Sequence, residues 1–327
     1  MDEHRKFVRP NNLVEKFVLV DGIGRSGKVV MGLALASMKN VEKMRIDLLF
    51  DNVPRMYEMN KISHDGAVTL LRLEADTRFY ETMISRSVNF KPTDYTGVFK
   101  DPYTLRYILR LFSEEGESAV KRIRKEKPIF QNMTHDGLSR AKILFDAFGD
   151  RLYIIEMLRD PIGIIYDWHV KNFGERIGKD PREQHLTLEW NGDVVPFIAL
   201  GWENEYLSIK PIDRIIRMID TRFRRNIEGH KKLSEENKKR TMFVVFERFV
   251  VDPMPYCKEI ANFIGTEITS ITERKMRQEK CPRKINPDER IKMKKIIVKQ
   301  ASEKYIKMLN ELTEEYGDLV KNMFESH

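Results

Sequence analysis

Residues 16–38 read KFVLVDGIGRSGKVVMGLALASM, and the order of side chains in this stretch decides the fold. Lys16 to Val20 is a short apolar run of β-prone residues, a glycine cluster follows at once, and from Lys28 to Met38 the pattern becomes helical. Strand, glycine-rich turn and helix form the context in which G-x-x-x-x-G-K acts as a phosphate-binding loop. Gly22 to Val29 meets that pattern. Gly22, Gly24 and Gly27, with Ser26 between the last two, allow a tight turn whose N–H groups converge on an anion. The helix amino terminus adds partial positive charge, and Arg25 and Lys28 offer charge-assisted hydrogen bonds. A Mg²⁺-dependent triphosphatase needs a hydroxyl after the lysine as a metal ligand; here that residue is Val29, which suits a reaction without a metal.

Working outward, 127–132 (KPIFQN) and 151–158 (RLYIIEML) are strand-like, and between them 139–148 has helical periodicity with Gly149 as a stop. A third apolar run, 242–246 (MFVVF), follows a charged helix expected over 212–233. Apolar runs separated by helices read as buried parallel strands, so the fold class is α/β: a mostly parallel central sheet with helices on both faces, in three layers. Asn191-Gly192 between two alternating segments predicts a β-hairpin within 187–197. The carboxyl-terminal segment 286–327 is expected to be helical, with one helix starting at Asn286-Pro287-Asp288 and running to about Tyr316-Gly317. With 327 residues, 41% of them hydrophobic, and no linker or repeat, the span 1–327 reads as one domain.

The formal net charge is +8, and residues 271–304 concentrate it, with twelve Lys/Arg against five Asp/Glu. Such a surplus draws anionic partners. No aromatic residue interrupts it before Tyr305, so a single-stranded nucleic-acid platform is not expected. Residues 1–12 have no apolar core of a signal peptide, and 29–38 is too short to span a bilayer; a cytoplasmic location without a membrane span is the expectation. Cys257 and Cys281 have neither metal-ligand nor CxxC spacing and are expected to be free thiols.

Three stretches in family order resemble the sulfotransferases. Residues 22–31 (GIGRSGKVVM) are similar to the family's 5′-phosphosulfate loop, Ile155 to Pro161 (IEMLRDP) to the strand ending in the arginine of the donor's 3′-phosphate, and 243–253 (FVVFERFVVDP) to a late strand and its Asp-Pro. In a fourth, Asn132-Met-Thr-His135 stands where the cytosolic branch has Lys-Thr-His. The resemblance implies a P-loop nucleotide-binding type of fold and 3′-phosphoadenosine 5′-phosphosulfate as donor, leaving 3′-phosphoadenosine 5′-phosphate. It also implies a hydroxyl acceptor, on a glycan or a small molecule, and no metal. His135 is then the base that takes the acceptor proton, Arg25 touches the bridging oxygen with Lys28 assisting, and Arg159 holds the 3′-phosphate. Arg283, in Lys280 to Ile285, corresponds to a basic segment over the donor. Residues 51–126 and 174–211 would be acceptor-side elaborations, with Tyr57, Tyr80, Trp190 and Trp202 as stacking candidates.

The chain departs from the family pattern at Met133, which replaces the lysine of the triplet, and at Lys28 and Val29, which replace loop hydroxyls. A third departure is Asp167, which replaces a serine eight residues after the arginine and would repel a 3′-phosphate unless a cation lies beside it. Two alternatives stay open: a P-loop kinase or triphosphatase with Glu247 as the strand-end acid, and a catalytically inactive nucleotide- or polyanion-binding protein of the same fold.

Overall fold

The computed structural model describes residues 5–325; residues 1–4, the start of the polar stretch 1–12, and 326–327, the end of the span 1–327, lie outside the described residues. Among the described residues six strands form: β1 (Phe17–Asp21), β2 (Phe130–Met133), β3 (Leu152–Leu158), β4 (Thr187–Trp190), β5 (Asp193–Pro196) and β6 (Thr241–Val245). Four of them make one parallel sheet in the order β2-β1-β3-β6, while β4 and β5 pair as an antiparallel hairpin. Asn191 and Gly192 take φ of 52° and 86°, the left-handed pair that a two-residue turn requires.

Alternation along the strands sends side chains to two apolar layers. Phe17, Leu19, Phe130 and Ile154 meet Phe50, Leu71, Phe79 and Phe148 on one face. Val18, Val20, Ile155, Met157 and Val244 meet Met31, Leu35, Ile260 and Ile264 on the other. Because both faces are covered, the strands lack a polar side. Each fully buried Phe or Leu contributes roughly 1.5–3 kcal/mol. Phe17 anchors its layer, its ring 5.0 Å from Phe50, 4.9 Å from Phe130 and 5.0 Å from Phe148. A third cluster joins Trp168, Ile216 and Val195 to Leu309 and Leu312, packing helix Pro161–Val170, the hairpin and the carboxyl-terminal helices together. Among the described residues no helix is long and apolar enough to cross a membrane. Both cysteines are free and buried.

Several boundaries differ from the sequence expectations. The strand expected from Lys127 starts at Phe130, because Lys127 (φ 47°) ends helix Glu117–Glu126 and Ile129 makes only an isolated bridge to Val41. Phe246 is not the end of β6 but the first residue of helix Phe246–Val251. The single helix expected from 286 to about 317 is two, Pro287–Gln300 and Glu303–Glu325. The break lies where Asp213 captures Ser302, accepting from its backbone N–H at 2.9 Å and from its Oγ at 2.7 Å. Within the stretch 51–126, helix His64–Met83 covers the sheet with Leu71, Ala75 and Phe79, so this part of the insertion is core as well as elaboration.

Two buried carboxyl groups stand side by side on adjacent strands, Asp21 at the end of β1 in register with Glu156 within β3. Asp21 accepts from Thr134 Oγ1 at 2.8 Å and from the Leu138 N–H at 2.6 Å, and Glu156 accepts from Asn226 Nδ2 at 2.9 Å. Burial, and then the neighbouring Asp21, pushes the Glu156 carboxyl well above its ordinary range. The folded chain therefore keeps this proton to a higher pH than the unfolded chain does, so stability conferred at this site falls as pH rises above the ordinary glutamate value. Glu156→Gln, which keeps the shape and cannot ionise, should raise the unfolding midpoint at pH 8, and the gap to the parent chain should close as pH falls towards 5. Thermal unfolding across pH measures this; a midpoint lowered equally at every pH would show that Glu156 is not held protonated.

Candidate functional site

The glycine-rich turn emerges from β1 between β3 and helix Phe246–Val251. At Gly22 (φ +132°) a Cβ would stand 2.6 Å from the Met157 carbonyl oxygen, and at Gly27 (φ +101°) 2.2 Å from the Phe246 ring, so both positions require glycine by conformation and by space. Arg25 is also left-handed, with φ 76°. Trp168 Nε1 props the turn from below by donating to the Gly24 carbonyl at 2.9 Å. Ser26 is buried with its Oγ unpartnered. Gly27 caps helix Lys28–Ala36 without a side-chain hydrogen bond, leaving the helix amino terminus open towards the turn.

Lys28 does not project freely. Its ammonium donates to the carbonyl oxygens of Gly22 and Thr134, tying the turn to the end of β2. Burial lowers its pKa to about 8 against the opposing pull of Asp21 and Asp51.

A cavity of about 690 Å³ opens over this turn. Gly24, Arg25, Gly27, Lys28 and Val29 line it on one side, and Arg159, Asp167, Phe246 and Arg283 extend that side. Arg159 Nη1 donates to Asp167 Oδ2 at 2.8 Å and to the Arg25 carbonyl at 2.7 Å, while Arg25 Nε lies 3.5 Å from the same Asp167 oxygen. Asp167 therefore has the neighbouring cations that the sequence left open, and both are engaged by it. The guanidinium groups of Arg159 and Arg283 also stand over the Phe246 ring, 5.1 and 5.8 Å from its centroid.

His135 also lines the cavity. Its backbone N–H donates to Asp51 Oδ1 at 2.9 Å, and its Nδ1 lies 3.1 Å from Asp51 Oδ2. With the carboxylate as acceptor, Nδ1 carries the proton and Nε2 keeps a lone pair. Burial, helped by Lys28, lowers the His135 pKa below its ordinary 6.5 although Asp51 pulls it upward. Burial alone would raise the Asp51 carboxyl, but the bond from His135 and the charge of Arg55 hold it below its ordinary value. Arg55 pairs in turn with Asp136 at 2.6 Å.

The structure thus brings His135, Arg25, Lys28, Val29, Arg159, Asp167 and Arg283 to one cavity. Gly22 and Ser26 lie beneath it, shaping the turn. Of the aromatic residues considered for stacking, Tyr57, Tyr80, Trp190 and Trp202 do not line it. Trp202 is packed in the third cluster, and Trp190 Nε1 is bonded to Asn204. Tyr95 of the first elaboration and Arg182 to His185 of the second reach the cavity instead, beside Phe173. Glu247 is spent elsewhere, accepting from the Asp160 N–H at 3.0 Å and from the Tyr316 hydroxyl at 2.9 Å. Sequence reasoning missed Asp51, Arg55, His185, Arg222 and Phe246. Only the spacing of Asp51 and Arg55, four apart on one helix, left any trace in the sequence.

No family model and no curated protein matches the chain. Among solved structures it is similar to the sulfotransferase domain of the olefin synthase of Synechococcus PCC 7002, with 12% identity, a TM-score of 0.43 and coverage of 82% of this chain and 80% of that one. The sulfotransferase domain of the curacin biosynthetic pathway is 12% identical at a TM-score of 0.45, covering 80% and 77%. A sulfotransferase of Alicyclobacillus acidocaldarius is 14% identical at a TM-score of 0.37, covering 94% and 96%.

Since Asp167 occupies the guanidinium groups of Arg159 and Arg25, Asp167→Ser should free both for an anion. Calorimetry with 3′-phosphoadenosine 5′-phosphate should show affinity raised by roughly tenfold, about one charge-assisted hydrogen bond gained. Equal or weaker binding would mean that these arginines do not face the nucleotide.

Proposed function

We propose that the chain is a sulfotransferase that moves a sulfuryl group from 3′-phosphoadenosine 5′-phosphosulfate to a hydroxyl of a glycan or small-molecule acceptor. One observation carries the proposal: a single cavity joins the glycine-rich turn to a histidine whose Nδ1 is fixed by a buried carboxylate. The turn suits the donor's phosphosulfate, since Gly27 leaves no room for a side chain, the helix start is uncapped and the buried Ser26 Oγ is unpartnered. Arg159 and Arg283 would take the nucleotide's remaining charge, and Tyr95 and Phe173 would flank the acceptor.

In the reaction, the acceptor hydroxyl gives its proton to His135 Nε2 as its oxygen bonds to sulfur. The bond between sulfur and the bridging oxygen breaks, and its electron pair stays on the phosphate. Arg25 and Lys28 stabilise that developing charge. Asp51 acts through His135, holding the tautomer and stabilising the imidazolium that forms. The kinase alternative loses its strand-end acid, because Glu247 is bonded to Asp160 and Tyr316 away from the cavity.

His135→Ala should lower turnover by about 10²–10⁴-fold with donor affinity nearly unchanged, the usual contribution of a positioned base. Only the neutral imidazole accepts a proton, and burial lowers its pKa, so kcat/KM of the parent chain should fall only below the ordinary histidine value of 6.5. Asp51→Asn should reduce turnover and move that acid limb lower still, because the carboxylate that raises the imidazole pKa is gone. Turnover of labelled donor against pH is the measurement. An unchanged acid limb in His135→Ala would remove this residue from the mechanism, and no turnover with any hydroxyl acceptor despite tight nucleotide binding would leave a binding protein.

A further inference from the structure

Arg222, on helix Pro211–Lys231, is a buried cation at the cavity with no carboxylate in salt-bridge contact. It is 2% exposed, yet it lines the cavity between the turn and His135. Its Nη1 donates to the His135 carbonyl oxygen at 3.3 Å, and its Nε has no partner. No carboxylate among the described residues lies within 4.0 Å of it, since Asp136 is bonded to Arg55 and Arg140 and Asp51 to His135. Its guanidinium stands 5.6 Å from the centroid of the Trp168 ring. His185 also lines the cavity; its buried Nδ1 makes no hydrogen bond, the Glu183 carboxylate standing 4.0 Å from it. A buried guanidinium with unfilled donors is destabilising unless an anion joins it, and a cavity that reaches it admits one.

We infer that Arg222, with His185 beside it, forms an oxyanion subsite of this cavity, taking a sulfonate, phosphate or carboxylate group between the glycine-rich turn and His135. The inference rests on the sulfotransferase proposal only for the source of that group, which is either the sulfonate of the donor or an anionic substituent of the acceptor. The planar fork of the guanidinium suits two oxygens of one such group.

Inorganic sulfate is the probe, titrated by calorimetry into the full chain at constant ionic strength, and into Arg222→Gln, Arg222→Lys and, as a control at the turn, Arg25→Ala. Sulfate affinity should fall at least tenfold in Arg222→Gln and persist in Arg25→Ala. In sulfate-free buffer Arg222→Gln should unfold at or above the parent temperature, because it removes an unpaired buried charge; a clearly lower midpoint would show a structural residue and overturn the subsite. Should the Gln variant fail to fold, Arg222→Lys decides: it keeps the charge but loses the fork, and undiminished sulfate affinity would overturn the inference. If Arg222→Gln weakens the sulfated nucleotide more than the desulfated one, the oxyanion is the donor's. If it weakens both equally while sulfate competes with the acceptor, the group belongs to the acceptor. A chain that binds no nucleotide but loses sulfate in Arg222→Gln keeps the subsite and sinks the sulfotransferase proposal. Nucleotide binding together with Arg222-independent sulfate binding does the reverse.

Discussion

The ammonium of Lys28 bonds to the carbonyl oxygens of Gly22 and Thr134, and much of the site's geometry follows from that junction. Gly22 begins the glycine-rich turn, and Thr134 directly follows β2, so one buried cation fixes the turn against the strand that delivers His135. The same ammonium lowers the affinity of His135 for a proton, which coupling by covalent structure alone would not achieve across this sequence separation. A buried lysine is tolerable only where carbonyl oxygens and carboxylates surround it, and the Gly22 and Thr134 carbonyls, with Asp21 and Asp51 nearby, fill that role here.

Around this junction the site is held by charges that neutralise one another in short chains. Asp51 serves both His135 and Arg55, Asp136 serves both Arg55 and Arg140, and Asp167 serves both Arg159 and Arg25. Removing one member of such a chain strands the next as an uncompensated charge, so the network imposes one arrangement more than it adds net stability. Arg222 and Arg283 are outside these chains, and of the two only Arg222 is buried.

Asp167 changes what the resemblance to the sulfotransferases implies. A serine at that position would leave Arg159 free, whereas the carboxylate engages Arg159 and, more loosely, Arg25. The cations expected to meet the donor are present at the cavity, but in this arrangement their first partner is a side chain of the chain itself. On the proposed function, a nucleotide entering at this end would exchange one anionic partner of these arginines for another, a competition that salt modulates.

The glycine-rich turn, the alternation of β-prone runs with helical segments and the Asn191-Gly192 hairpin were all legible in the sequence, because each depends on neighbours within a few residues. For the same reason Gly27 and Lys28 could be assigned to a turn at a helix start. Boundaries set by distant partners were not legible: Ser302 breaks the last helix only because Asp213, far back in the chain, binds it. The site divides in the same way. His135, Arg25 and Arg159 stand in local patterns, but Asp51 lies on helix Leu49–Glu58, Arg222 on helix Pro211–Lys231 and His185 just before the hairpin, and apart from the spacing of Asp51 to Arg55 nothing local marks them. Parallel strands place their connections far apart in sequence and their carboxyl ends side by side in space. Only the folded sheet decides which side chains meet over the turn, and which buried cation is left without a carboxylate in contact.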